Sequence, residues 1–206
     1  MNSHFEGVDF RTGPPVDDEM VLAAEAELGY VLPRSYVELI RQTNGGLFKR
    51  RCCPVTFPTS WAPDHFEIRS LVGIGGERGI DTRFGSKYMI EEWEYPNVGI
   101  VICDLPSGGH DMVMLDYREC GPGGEPAVVY VDEDRVPRRV ADTFAEFLGI
   151  LRDCGSFQIV DWITSSVDRG VLHVLFDEPE PPALLWISRL AGIAWEWSAS
   201  DNFRTA

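Results

Sequence analysis

The 206-residue chain carries 33 Asp and Glu against 18 Lys and Arg, a formal charge of −15, with 44% hydrophobic and 11% aromatic residues. That composition excludes a disordered chain and disfavours nucleic acid and anionic membranes as partners, while a basic protein surface is attracted. No run approaches the ~20 apolar residues of a membrane span. The opening MNSHFEGVDF lacks the basic start and apolar core of a secretory leader, so the expected location is the cytoplasm. A chain of this size buries roughly 70% of its unfolded surface and needs no staple to fold. Its cysteines agree: Cys52 and Cys53 are adjacent, while Cys103, Cys120 and Cys154 stand alone without a CxxC pair. Reduced, mostly buried thiols are therefore expected, and no metal centre.

Residues 1–16 read as a lead-in. Residues 17–29, DDEMVLAAEAELG, predict a helix capped by Asp17 or Asp18, with Val21, Ala24 and Leu28 on one face and Gly29 at the stop. In YVLPRSYVELIRQTNGG a second helix starts at Pro33, whose missing N–H costs nothing in the first turn. Tyr36, Leu39 and Ile40 form its buried stripe, and Asn44-Gly45-Gly46 ends it. RCCPVTFPTSWAPDHF, with prolines 54, 58 and 63, reads as irregular surface, FEIRSLVGI as one strand, and residues 84–93 as a short helix weakened by Gly85.

Three apolar runs of strand length follow at 98–103, 112–117 and 127–131. The joins between them are too short for a crossover helix, so the strands form an antiparallel meander. VADTFAEFLGILRDC closes the unit as a helix capped by Asp142 or Thr143, with Phe144, Phe147, Leu148 and Leu151 on one side. The expected class is α+β: an antiparallel meander with the N-terminal helix pair and the closing helix packed on one face. Residues 152–206 form a C-terminal extension. Strand-like FQIVDWITSSV and VLHVLF and the apolar ALLWISRLAGIAWEW are expected to pack on the domain or on a second copy of the chain.

The sequence resembles the SUKH superfamily, the Smi/Knr cell-wall-regulator and immunity-protein family. Leu32-Pro33 opening the second helix and Asn44-Gly45-Gly46 closing it are similar to the family's opening signature. YPNVGIVICDLPSGGHDMVMLDY is similar to its strand, glycine turn and strand ending in Leu-Asp. PAVVYVDED and VADTFAEFL resemble its next strand and closing helix, so the resemblance covers residues 17–151. The segment 49–63 is longer and richer in proline than the family pattern, and the C-terminal extension lies outside it. The resemblance implies a non-enzymatic binding protein. It would be an immunity protein occluding a basic toxin domain such as a nuclease, or an intracellular regulatory scaffold of the cell-wall-regulator type, acting as a monomer or homodimer.

The residues give several sites to weigh. His110-Asp111 invites a hydrolase reading, but neighbours on a strand point to opposite faces, and Ser107 lacks the G-x-S-x-G spacing of a nucleophile elbow. Gly108 and Gly109 instead supply the positive φ values of a hairpin turn. Glycines 73, 75 and 79 miss the dinucleotide fingerprint by one residue and precede no strong helix. Asp104, Asp111, Asp116 and Asp132 carry no spacing that gathers them on a cation. Catalytic, cofactor and metal residues are accordingly not expected. A partner surface is expected instead at Glu91, Glu92, Trp93, Glu94 and Tyr95, a rigid aromatic anchor in an acidic rim, together with the acidic run Asp132, Glu133 and Asp134.

Overall fold

The computed structural model of the chain describes residues 4–8, 12–155 and 157. The chain divides after Cys154, and every described helix and strand belongs to the first unit. The helix- and strand-like segments expected further on, with Trp162, Trp186, Trp195 and Trp197, lie outside the described residues. In order the elements are β1 (Phe5–Gly7), α1 (Asp18–Leu28), α2 (Arg34–Gln42), β2 (Gly46–Phe48), β3 (Cys52–Pro54), β4 (His65–Glu67) and β5 (Ser70–Leu71). They continue as α3 (Ser86–Trp93), β6 (Gly99–Asp104), β7 (Met112–Asp116), β8 (Ala127–Val131), β9 (Arg138–Ala141) and α4 (Phe144–Ile150).

The architecture is α+β. A seven-stranded sheet runs in the order β1-β2-β5-β6-β7-β8-β9, and every pairing in it is antiparallel. Its second half, β6 to β9, is the expected meander. β1, β2 and β9 are additions at the two sides, each only three or four residues long and too short to show alternation in sequence.

Helix ends follow local chemistry. The Asp17 carboxylate accepts the Met20 amide at 2.9 Å, and Gly29 closes α1 at φ 81° with its amide on the Glu25 carbonyl. Pro33 occupies the cap of α2, with ψ at 137°, so the helix begins one residue later than expected. Thr143, rather than Asp142, caps α4, its hydroxyl accepting the Glu146 amide at 3.1 Å. Asn44 is more than a helix stop. Buried, it donates to the carbonyls of Pro14 and Ile74 and accepts the Ile74 amide, bracketing the lead-in to the loop after β5. Gly73 makes room for it, since a Cβ there would lie 2.1 Å from the Asn44 side-chain oxygen.

The sheet has two unlike faces. Ile100, Ile102, Val113, Leu115, Val128 and Tyr130 point to one and pack with Val21, Ala24 and Leu28 of α1, Tyr36, Leu39 and Ile40 of α2, and Phe144 and Phe147 of α4. Val101, Met112, Met114, Val129 and Val131 point to the other, joined by Tyr95 and Val98 and partly covered by Met89 and Ile90 of α3. The expected helices thus share one face, and α3 adds a partial cover to the opposite one.

Two expectations are corrected. FEIRSLVGI is two strands in two sheets: β4 pairs with β3, and the chain changes partner between Ile68, whose amide donates to Arg51, and Arg69, whose amide donates to Asp104. Both halves are apolar, so the switch leaves no mark in composition. The proline-rich segment before it is accordingly not all irregular, because β3 and β4 bury Cys52, Cys53 and Phe66. The thiol expectation also fails for one pair: Cys52 and Cys154 form a disulfide across 102 residues, beside a backbone bridge between Cys52 and Arg152. Such a separation carries no spacing signal. Cys53 and Cys103 are free and buried, and Cys120 is free and exposed.

Candidate partner-binding surface

Antiparallel pairing brings the two predicted acidic segments together. Met112 at the start of β7 pairs with Val131 at the end of β8, so the β6–β7 and β8–β9 turns share one end of the sheet. The end of α3 reaches the same place, where the Tyr95 hydroxyl donates to the Gly109 carbonyl. Trp93 lies against Gly109: a Cβ at that position, which has φ 102°, would meet the indole at 3.0 Å. His110 then links the segments. Its ring stands 6.4 Å from that of Trp93, and its Nδ1 lies 2.9 Å from Glu133 Oε1.

Six of the eight predicted residues, Glu91, Glu92, Trp93, Glu94, Glu133 and Asp134, are exposed around this point. Tyr95 and Asp132 are buried and position the others. Burial pushes the Tyr95 phenol up to about 12, so it remains a neutral donor, and the Arg135 guanidinium sits 4.9 Å over its ring. Asp132 pairs with Arg138 at 2.9 Å, and Arg138 also grips Asp134. With the Val136 amide bonded to it and Arg138 beside it, Asp134 is held below the ordinary carboxylate range and stays charged. The outcome is an exposed indole in a rim of carboxylates, fixed by buried neighbours.

The competing sites resolve differently. His110 is exposed, whereas Asp111 is fully buried, its Oδ2 accepting the Tyr130 hydroxyl at 2.7 Å and Ser60 at 3.1 Å. The two side chains serve opposite sides of the turn. Asp111 thereby ties the proline-rich segment to the sheet, and the Ser107 hydroxyl accepts the Asp111 amide within the turn, where Gly108 and Gly109 both have positive φ. Asp116 is bound by Arg118 and Asp104 lies 3.8 Å from Arg69. Among the described residues no three His, Cys, Asp or Glu side chains gather in a metal-binding group. Nor is any helix there long and apolar enough to cross a membrane.

Sheet order, helix placement and this surface together match a known pattern. The model of the SMI1 / KNR4 family (SUKH-1) matches residues 15–150. The chain belongs to that family. The match runs from just before α1 to the last residue of α4, so this SMI1 / KNR4-family domain leaves β1 and Cys154 outside it. Neither a curated protein nor a solved structure gives a significant match. Membership is consistent with an immunity protein or a SMI1 / KNR4-type regulator, and proteins of the family act generally through protein–protein contact.

Sequence reasoning missed two features of this surface. His110 drew notice as a base and not as the link between the acidic segments. Phe84 and Tyr88, four residues apart and both exposed, are stacked edge to face at 5.4 Å on the side of α3 that leads to Trp93. Their helical spacing in an exposed helix was the available signal.

Proposed function

We propose that the chain is a non-enzymatic, cytoplasmic immunity protein that neutralises a basic toxin domain by covering its active surface. The observation that carries the reading is the convergence of Glu91, Glu92, Glu94, Glu133 and Asp134 on exposed Trp93, two segments some forty residues apart in sequence joined through His110. Family membership and the −15 charge support it. The acidic rim steers a cationic partner, raising the encounter rate by roughly 10–1,000-fold at low salt. The indole then slows dissociation. In a reducing cytoplasm the Cys52–Cys154 pair would be held as thiols, and mass spectrometry of alkylated cell extract reads its state directly.

The experiment is co-expression with the product of the adjacent gene, followed by kinetics of the complex. Trp93→Ala is expected to speed dissociation by about 30-fold, the loss of a hot spot of ~2 kcal/mol. Joint Glu91→Lys, Glu92→Lys and Glu94→Lys is expected to slow association and flatten its salt dependence. A toxin bound as tightly by all these variants, or association indifferent to salt, would defeat the reading. An adjacent gene encoding no toxin favours the regulatory scaffold instead.

A further inference from the structure

Beside the acidic rim, α3 and the β6–β7 turn enclose a groove of about 430 Å³. Its walls are Phe84, Tyr88 and Trp93 on α3, with Arg69, Arg78 and Asp104 across from them. Three exposed aromatic rings lie along one short helix: Phe84 is 49% exposed, Tyr88 38% and Trp93 37%. Trp93 is braced from behind by Gly109 and His110, so the rings form a fixed wall.

The groove inverts the charge of the molecule. In a chain of −15, two exposed guanidinium groups meet one carboxylate here, and Asp104 is buried whereas the Arg69 side chain is 48% exposed. A guanidinium fork beside aromatic faces recognises a planar or bulky apolar group with an attached carboxylate. The volume is at the small end for ligand sites, enough for one or two side chains.

We propose that this groove takes an aromatic side chain of a partner polypeptide together with a neighbouring carboxylate, the aromatic lying on the Tyr88–Trp93 wall and the carboxylate at Arg69 and Arg78. A nucleotide would satisfy the same pair of features. The surrounding Glu91, Glu92, Glu94, Glu133 and Asp134 disfavour a polyanion, which leaves the polypeptide as the occupant. This deepens the binding reading above: the partner is held by its basic surface on the rim and by one aromatic-acid feature in the groove.

The test uses the isolated full-length chain and no toxin, so its failure is distinct from failure of the immunity reading. The probe is indole-3-propionate, with indole-3-propionamide as the uncharged control. The readout is the Trp93 indole N–H signal in a ¹H–¹⁵N spectrum, assigned by its loss in Trp93→Phe. Saturable shifting by the acid is expected, with the amide roughly ten-fold weaker, the loss of a charge-assisted hydrogen bond. Arg69→Gln with Arg78→Gln, both at exposed positions, should erase the preference for the acid while leaving the other indole signals in place. A Trp93 signal unmoved by the acid, equal response to acid and amide, or an acid preference surviving the double variant would overturn the proposal. So would tighter binding of adenosine monophosphate at the same signal.

Discussion

The two faces of the sheet differ in how they are built. One is sealed by α1, α2 and α4 with large interlocking side chains, Tyr36 edge to face with Phe144 at 5.3 Å and Phe66 stacked on Tyr130 at 4.5 Å. The other is a smaller layer of valines and methionines under a single short helix, with the exposed indole, the acids and the aromatic groove at its edge. The first face spends its apolar surface on stability. The second keeps part of its aromatic surface in water, which is what a contact surface requires. Scaffold and recognition are thus divided between opposite sides of the same strands, alternate residues serving each.

Mutation should separate them. Phe144→Ala, in the sealed face, is expected to lower stability by about 3–5 kcal/mol in urea unfolding, while Met89→Ala under α3 should cost less than about 2 kcal/mol. Similar losses at the two positions would break the contrast. Next in size is the staple that closes the sealed side. Cys154→Ser is expected to remove about 2–4 kcal/mol relative to the oxidised chain, because a closure spanning some hundred residues restricts the unfolded state strongly. Unchanged melting on adding reductant to the oxidised protein would contradict that.

A smaller effect sharpens the same division through pH. Burial pushes the Cys53 thiol from its ordinary value of 9.0 up to about 12, against a lowering influence from Arg152. The unfolded thiol ionises first, so the stabilisation is complete below about pH 9 and is lost as pH rises toward 12. At pH 8 in native buffer, Cys120 should be the only free thiol to react with a maleimide, and slowly, since burial raises its thiol too. Rapid labelling of Cys53 or Cys103 without denaturant would show the sealed face to be open.

Legibility followed the length of each local pattern. α1, α2 and α4 were readable because their apolar residues recur at helical spacing between recognisable caps, and β6, β7 and β8 because each is an apolar run bounded by turn residues. β1 and β2 were not, since three residues give no period. The hidden switch between β4 and β5 lies inside one apolar run and is decided by which backbone each half meets. Among site residues, Trp93 and its acids were visible as an aromatic in a charged run, whereas the roles of His110, Arg69 and Phe84 depend on neighbours distant in sequence.

By itself the sequence determined the charge, the helix pair, the meander and the closing helix, because capping, periodicity and turn chemistry act over a few residues. Only the tertiary structure decided that Cys52 meets Cys154, that Asn44 braces the loop after β5, and that Glu91 and Glu133 share one rim. Those are long-range contacts, fixed by strand register and packing, and no local spacing encodes them.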